Sequence, residues 1–466
     1  MNRLRLALLA SALALAGCAS MAPPDTRPPL PVAERFPDPG SGAAGSARAV
    51  DLAWQSFYAD ARLQRLIALA FEHNRDLRVA ALNVEQLGAQ LRLQRADRLP
   101  TVNAVAAGQR TPNSSGEMTS TYTAGLAITA FELDLFGRVR SLTDAALARW
   151  LASDEARRSV QIALAAQVAA TYFALLADEE LIALTRQALA TREESLALTQ
   201  LRLDYGVASE LDLRQAQSLV EGARADLALL QRRRAQDRNA LEVLVGQPLP
   251  DGLPPAGALD FSALGAEPAS GLPSELLTER PDIRQAERTL AAANANIGAA
   301  RAVFFPRISL TTSAGVASSE LSELFTDGRF AWSLAPQLLL PIFDAGRNQA
   351  NLDSAQAARA IALAQYEKAI QTAFREVADA LAGRTTWADQ LRALQAQTQA
   401  EAARVRLADL RYRNGASSFL ELLDAQRSLL IVQQAAVQVR LAMLQNQVGL
   451  YKALGGGAPA ADAAAR

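Results

Sequence analysis

Two hydrophobic periods alternate along the chain, and the alternation happens twice. Leu63, Leu66, Ile67, Ala70 and Phe71 recur at the three-and-four spacing of a helix with one buried face, a pattern that runs from Trp54 to Leu99-Pro100. A matching segment begins at Leu276, so that Asp76-Leu77-Arg78 aligns with Asp282-Ile283-Arg284 and Pro100 with Pro306. After each proline the period drops to two. Ile308, Leu310, Thr312, Ala314 and Val316 alternate with Arg307, Ser309, Thr311, Ser313 and Gly315, and Thr101 to Gly108 is the weaker equivalent. Polar turns over 109–119 and 318–329 lead into returning strands. There Tyr122, Ala124, Leu126, Ile128 and Ala130, or Phe330, Trp332, Leu334 and Leu338, take the apolar side.

From Phe136-Gly137-Arg138 an Ala-, Leu-, Gln- and Arg-rich stretch without proline runs to Gly206, and its twin runs from Gly346 to Gly415. Each predicts one helix on the order of 100 Å long at 1.5 Å per residue. Such a helix survives only when packed along its length. Each ends in the same kind of turn: LRLDYGVASELDLRQAQSL around Gly206 and LRYRNGASSFLELLDAQRSL around Gly415, 209 residues apart (415 − 206). Gly206 and Gly415 read as left-handed C-caps, and Ser209 and Ser418 as N-caps of the following helix. That helix ends at Val245-Gly246 or Leu454-Gly455. In the second copy Leu422, Leu429, Ala436, Met443 and Leu450 fall seven apart, flanked by Leu423, Leu430, Val437, Leu444 and Tyr451, the repeat of a coiled-coil seam.

One copy is therefore helix, hairpin, long helix, turn, helix. The first occupies residues 51–246 with its hairpin at 101–136, and the second 276–455 with its hairpin at 306–343. Proline and glycine make 247–275 an irregular link, and 456–466 reads as a flexible tail. The expected fold class is mostly α with a small transmembrane β part, because strands of about ten residues with one apolar and one small or polar face match the outer-membrane barrel pattern. Four strands cannot close a sheet inside a membrane. Eight strands give an interior filled by side chains, whereas twelve leave room for a lumen. We infer a homotrimer: a twelve-stranded barrel with four strands per chain, continued by a long α-helical coiled-coil barrel.

Composition narrows the function classes. The 47 basic and 48 acidic residues are interspersed, with a formal net charge of −1, so no basic stripe marks a nucleic-acid surface. His73, the only histidine, has no His or Cys partner and reads as an exposed helix residue. The chain has no nucleophile motif and no Gly-rich phosphate loop, which argues against an enzyme, a metal site or a bound cofactor. MNRLRLALLASALALAGC reads as a cleaved export signal over 1–17, with Arg3 and Arg5 ahead of an apolar core. Beyond it we expect no membrane-spanning helix. Leu15-Ala16-Gly17 before Cys18 resembles a bacterial lipobox, and Cys18, the only cysteine, would carry the lipid. Ala19 in the next position favours the outer membrane by the same resemblance. Acyl chains anchor a protein without making it span. Residues 18–50, rich in Pro and Gly, read as a tether from the lipid to the body.

Several stretches in order carry a family resemblance: the lipobox at Cys18, FELDLFGR at 131–138, ERPDIRQAE at 279–287, PIFDAGRNQA at 341–350, LRYRNGASSFLELLDAQRSL and LYKALGGG. Together they make the chain resemble the TolC-like outer membrane factors, specifically the lipoprotein branch that works with RND-type drug pumps, over nearly all of the mature sequence. The resemblance implies an exit duct of a tripartite efflux pump. Such a duct is lipid-anchored in the outer membrane, spans it as a β-barrel and carries a periplasmic helical domain, and small molecules cross it passively. It further implies that the turns at Tyr205, Gly206 and Ser209 and at Asn414, Gly415 and Ser418 are periplasmic tips where a membrane-fusion adaptor docks. It implies a resting gate as well: the LLDAQ match puts an apolar ring on Leu420 and an acidic ring on Asp424, with Arg427 as a charge partner. The plainer reading makes Leu420 a core residue and Asp424 a solvated one. In the first copy Gln215 stands where Asp424 would be. A structural coiled-coil lipoprotein would account for the anchor and helices but not for two amphipathic hairpins at matching points. A type I secretion duct is the alternative within the family, and the lipobox disfavours it.

Overall fold

The computed structural model describes residues 21–24, 29–33, 36, 48–265 and 279–457. The export signal, Cys18, most of the 18–50 tether, residues 266–278 of the link and the tail from 458 lie outside the described residues. In chain order the elements are α1 (Trp54–Phe57), α2 (Ala61–His73), α3 (Arg75–Ala96), β1 (Val102–Pro112), β2 (Met118–Leu133), α4 (Arg138–Asp204), α5 (Glu210–Val245), α6 (Pro281–Ala302), β3 (Arg307–Ser318), β4 (Phe330–Leu339), α7 (Arg347–Arg413) and α8 (Phe419–Ala453). The two long helices, α4 and α7, are each 67 residues.

The four strands form one antiparallel sheet in the order β1-β2-β3-β4, which leaves β1 and β4 as open edges. Cross-strand pairing carries one apolar face over all four strands: Ala104 faces Leu126, Leu126 faces Ala314, and Ala314 faces Trp332. The other face is small and polar, with Gly125 opposite Gly315 so closely that a Cβ on either would meet partner backbone at under 2.5 Å. The expected alternation of β2 through Ala130 is corrected by a bulge. Thr129 and Ala130 stand against Thr311 alone, Ala130 takes φ 51°, and Phe131 and Leu133 resume the apolar row against Leu310 and Ile308. Pro336 sits in the edge strand β4, where a missing N–H costs little.

Two compact units make up the chain. One holds Leu82–Glu155 and Arg284–Ala369 with the sheet, together with the described N-terminal residues 21–24 and 29–30. At the foot of its strands Glu132 accepts two hydrogen bonds from Arg138, at 2.8 and 2.7 Å, and lies 2.7 Å from Arg307, tying the start of α4 to the starts of the second hairpin. The other unit holds the described residues within Pro31–Ala81, Ala156–Ile283 and 370–457, including both helical turns.

In that second unit the expected continuous helix after Trp54 is broken twice, and the reasons are tertiary. Asn74 leaves the helix at ψ 132°, caps α3 through Leu77 N at 2.9 Å, and donates to the Leu244 carbonyl at 2.8 Å. Gly246, at φ 82°, ends α5 so close to the His73 carbonyl that a Cβ would lie 2.3 Å from its oxygen. The His73 side chain is 35% exposed, with Nε2 3.7 Å from the Glu72 carboxylate. Phe57 stacks on Tyr451 at 3.9 Å beneath Leu63, Leu66 and Ile67, all essentially inaccessible.

The seam of α8 lies one residue over from the row read first. Leu423, Leu430, Val437, Leu444 and Tyr451 are all buried, whereas in the other row Leu422 and Leu450 are buried at the ends and Leu429, Ala436 and Met443 between them are half-buried. Residues 159–177 correct another expectation. They carry no charge, and α4 holds an 18-residue window apolar enough to cross a membrane, but 67% of that window is buried within the fold. It is a core helix segment, lined by Ile162, Val168, Tyr172 and Phe173.

Candidate functional site

The two helical turns are built alike because each glycine takes a conformation that L side chains avoid. Gly206 and Gly415 both sit at φ 72°, with nothing within 4 Å of where a Cβ would stand. Backbone sterics alone select glycine there. The following amide closes the turn: Val207 N donates to Arg202 O and Ala416 N to Arg411 O, both at 2.8 Å.

Beyond the glycine the copies part. Ser209 accepts from Asp212 N at 3.1 Å while Asp212 Oδ2 accepts from Ser209 N at 3.1 Å, a complete capping box. Ser418 sits at the same backbone position without a side-chain cap bond, which corrects its expected role. Its box partner would be Glu421, which turns instead toward Arg411 at 3.8 Å. Tyr205 is 78% exposed beside exposed Val207 and Leu211. Its twin Asn414 folds its amide back onto Leu410 O at 2.7 Å.

Just inside the turns one cluster joins the two hairpins. Ala216 of α5 packs with Ala408 and Tyr412 of α7 and with Phe419, Leu422, Leu423 and Ala425 of α8. The Arg202 guanidinium sits 4.5 Å above the Tyr412 ring, which tilts against Phe419 at 5.3 Å.

Leu420, Asp424 and Arg427 come together on one outer face of α8. Leu420 is 60% exposed, so within the chain it is not a core residue; Phe419 and Leu422 fill that role. Asp424 is not simply solvated either. Its Oδ2 accepts from Arg404 Nη2 at 2.6 Å and its Oδ1 from Arg427 Nη2 at 2.9 Å. Hydrogen bonding to Arg404 first, and then to Arg427, holds its carboxyl below the usual carboxylate range. Arg404 is the member that sequence reading did not find. The signal was present in the hairpin register, since Arg404 and Asp424 lie at near-mirror distances from Gly415. A groove of about 260 Å³ runs between the copies here, lined by Gln215, Ser218 and Leu219 of α5 and by Leu420, Leu423, Asp424 and Arg427 of α8. It therefore brings the repeat-equivalent positions Gln215 and Asp424, and Ser218 and Arg427, to one groove.

Among the described residues no group of three His, Cys, Asp or Glu side chains is placed to hold a metal ion. What the arrangement offers is a charged contact between α7 and α8, the two helices of one hairpin.

Comparison with known proteins agrees over almost the whole length. The family model for outer membrane efflux proteins matches residues 66–247 and 272–456. The solvent efflux pump outer membrane protein SrpC of Pseudomonas putida is 49% identical over 456 residues, covering 96% of each chain. Outer membrane protein OprJ of Pseudomonas aeruginosa is 46% identical over 454 residues, covering 96% of this chain and 94% of that one. Among solved structures, the open state of the Neisseria gonorrhoeae MtrE outer membrane channel aligns with a TM-score of 0.87 at 43% identity, covering 95% of this chain and 99% of that one. With its doubled hairpin-and-helix architecture, this chain belongs to the outer membrane efflux protein family, as an outer-membrane channel with a periplasmic helical domain.

Proposed function

We propose that three copies of this chain form a passive exit duct whose resting gate is the Leu420–Asp424 face of α8. The observation that carries the reading is the sheet with two open edges and one continuous apolar face. β4 is exposed along its whole length, including Phe330, Trp332 and Leu334, so it needs a strand beside it and lipid against it. Pairing β4 of one copy with β1 of the next satisfies every edge, and three copies make a lumen-sized barrel.

Around a three-fold axis, exposed Leu420 and Asp424 would each recur as a ring. Asp424, held by Arg404 and Arg427, fixes α8 against α7 in the resting state. A periplasmic adaptor engaging the turns at Tyr205, Gly206 and Ser209 and at Asn414, Gly415 and Ser418 would pull these pairs apart, while an RND-type pump supplies the cargo. The chain itself performs no chemistry. The solvent named for the SrpC relative fits export of small organic molecules. Cys18 carries the lipid that holds the mature N-terminus to the outer membrane.

Planar-bilayer recording tests the gate. Leu420→Ala and Asp424→Ala channels should conduct more than the parent, and equal conductance would remove these residues from the constriction. Heat-modifiable migration of the purified protein tests the trimer separately, and a monomer band without heating would refute it.

A further inference from the structure

We propose that the second unit carries a binding site for a small carboxylate with an apolar body and one N–H or O–H donor, set between α4 of the first hairpin and α7 and α8 of the second. The cavity measures about 220 Å³, below the roughly 300–1,000 Å³ of drug-sized sites, so it takes a molecule built on a single ring. Leu184 and Ala188 of α4, Val405 of α7 and Leu430 of α8 form its apolar wall. Arg192 of α4 and Gln426 of α8 bring the polar groups that choose the ligand.

Both are left unsatisfied by the fold. Arg192 is 9% exposed and donates through Nη1 to the Leu219 carbonyl at 3.1 Å, but among the described residues no carboxylate comes within ion-pair distance of it. Burial pushes its guanidinium below the usual arginine range, and exposed Asp226 opposes that shift from farther away. A buried charge without a counter-ion is costly, so an anion entering the cavity is favoured. The planar guanidinium fork matches a carboxylate in particular. Gln426 Oε1 is likewise buried and has no donor among the described residues. An unpaired buried acceptor favours a ligand that brings a donor with it.

The internal repeat supplies a control. At the repeat offset of 209 residues Arg192 matches Glu401 and Gln426 matches Gln217. Glu401 is met by Arg404 at 3.2 Å, and Gln217 Oε1 accepts from Arg214 Nη1 at 3.0 Å. The apolar wall has no twin either, since Leu430 is matched by Glu221, which Arg224 holds at 2.8 Å. Positions satisfied within the chain in one setting are unsatisfied in the other, and there they line one cavity. A ligand in it touches helices of both repeats and clasps them together. Binding there depends on neither the proposed gate nor the threefold assembly.

The probe is 4-hydroxyphenylacetate, one ring with a carboxylate at one end and a hydroxyl at the other. Titrated by saturation-transfer NMR against the purified full chain in detergent, it should bind saturably. Arg192→Gln should weaken binding about tenfold through loss of the charge-assisted pair, and Ala188→Phe, which fills the cavity, should abolish it. Gln426→Leu should weaken it about threefold and bind the probe no better than phenylacetate, which lacks the hydroxyl. The uncharged 4-hydroxyphenylacetamide should bind parent and Arg192→Gln equally weakly. Gln217→Leu, at the twin position, should leave binding unchanged. Arg192→Gln keeps a donor for the Leu219 carbonyl and carries the test should Ala188→Phe fail to fold. Absence of saturable binding, equal binding by parent and Arg192→Gln, or equal losses in Gln217→Leu and Gln426→Leu overturns the site.

Discussion

In the second helical hairpin Asp424 is held between Arg404 and Arg427, while the matching positions of the first, Gln215, Ser195 and Ser218, are all neutral. Deeper in the hairpins the asymmetry reverses. Asp178 of α4 is fully buried, with Arg233 Nε 3.2 Å away and Asp237 beside it, whereas the second copy places Trp387, Ala442 and Asn446 there. Trp387 and Asn446 both crowd Gly383, and Asn446 donates to the Ala380 carbonyl at 2.9 Å. Backbone plan and charge are thus inherited separately in this duplicated chain. The turn glycines and the helix lengths stay matched because any departure would misplace every later contact.

The comparison breaks most visibly at the charged trio. Asp424→Ala should raise single-channel conductance several-fold, whereas Gln215→Ala should leave it unchanged. Equal effects would mean that the two hairpins gate alike.

The buried carboxylate gives the next largest effect. Burial pushes the Asp178 carboxyl up to about 6, with Arg233 opposing and Asp237 reinforcing the shift. A folded value above the unfolded one means that the fold takes up this proton first as the pH drops. Packing of α4 on α5 should therefore tighten as pH falls from 7 to 5, by about 1 kcal/mol. Hydrogen exchange near Asp178 reads this, and Asp178→Asn should give the tighter state at every pH. Matched exchange in parent and variant at pH 7 would mean that Arg233 already compensates the charge.

Smaller effects separate the two caps. Ser209→Ala should weaken the first turn of α5 by about 1 kcal/mol, while Ser418→Ala, with no cap bond to lose, should shift α8 by a few tenths. Exchange of the first amides of each helix measures both. Smallest of all is the pH response of the proposed gate. Because Arg404 holds the Asp424 carboxyl down, the ion pair persists above the ordinary carboxylate range and is lost only as pH falls through its lowered value. Conductance should stay flat from pH 7 to about 5. Arg404→Ala should move the first acid-induced opening to a higher pH.

Much of the fold was legible because its signals are local. Proline-free helices ending at glycine, the switch from a helical period to a period of two at Pro100 and Pro306, and the apolar row of β3 are each written in consecutive residues. Leu420 and Asp424 were legible as a pair because four residues make one helical face. Arg404 was not, since its meeting with Asp424 depends on how α7 and α8 fold back about Gly415. The bulge at Thr129-Ala130 escaped because alternation looks intact until the partner strand fixes the register. Ser418 resembled a cap in sequence, but Arg411 draws Glu421 away from the box.

Sequence by itself determined where the two long helices stop, which strand face is apolar and that the unit occurs twice, because φ restrictions and residue periodicity act within a few positions. Tertiary structure decided which of two adjacent heptad rows of α8 is buried, that Asn74 rather than Pro100 first interrupts the helix after Trp54's short turn and Asp60, and that Gly298 lies against Ala22. Those outcomes depend on side chains brought from hundreds of residues away, whose desolvation and close packing outweigh the small local preferences between neighbouring positions.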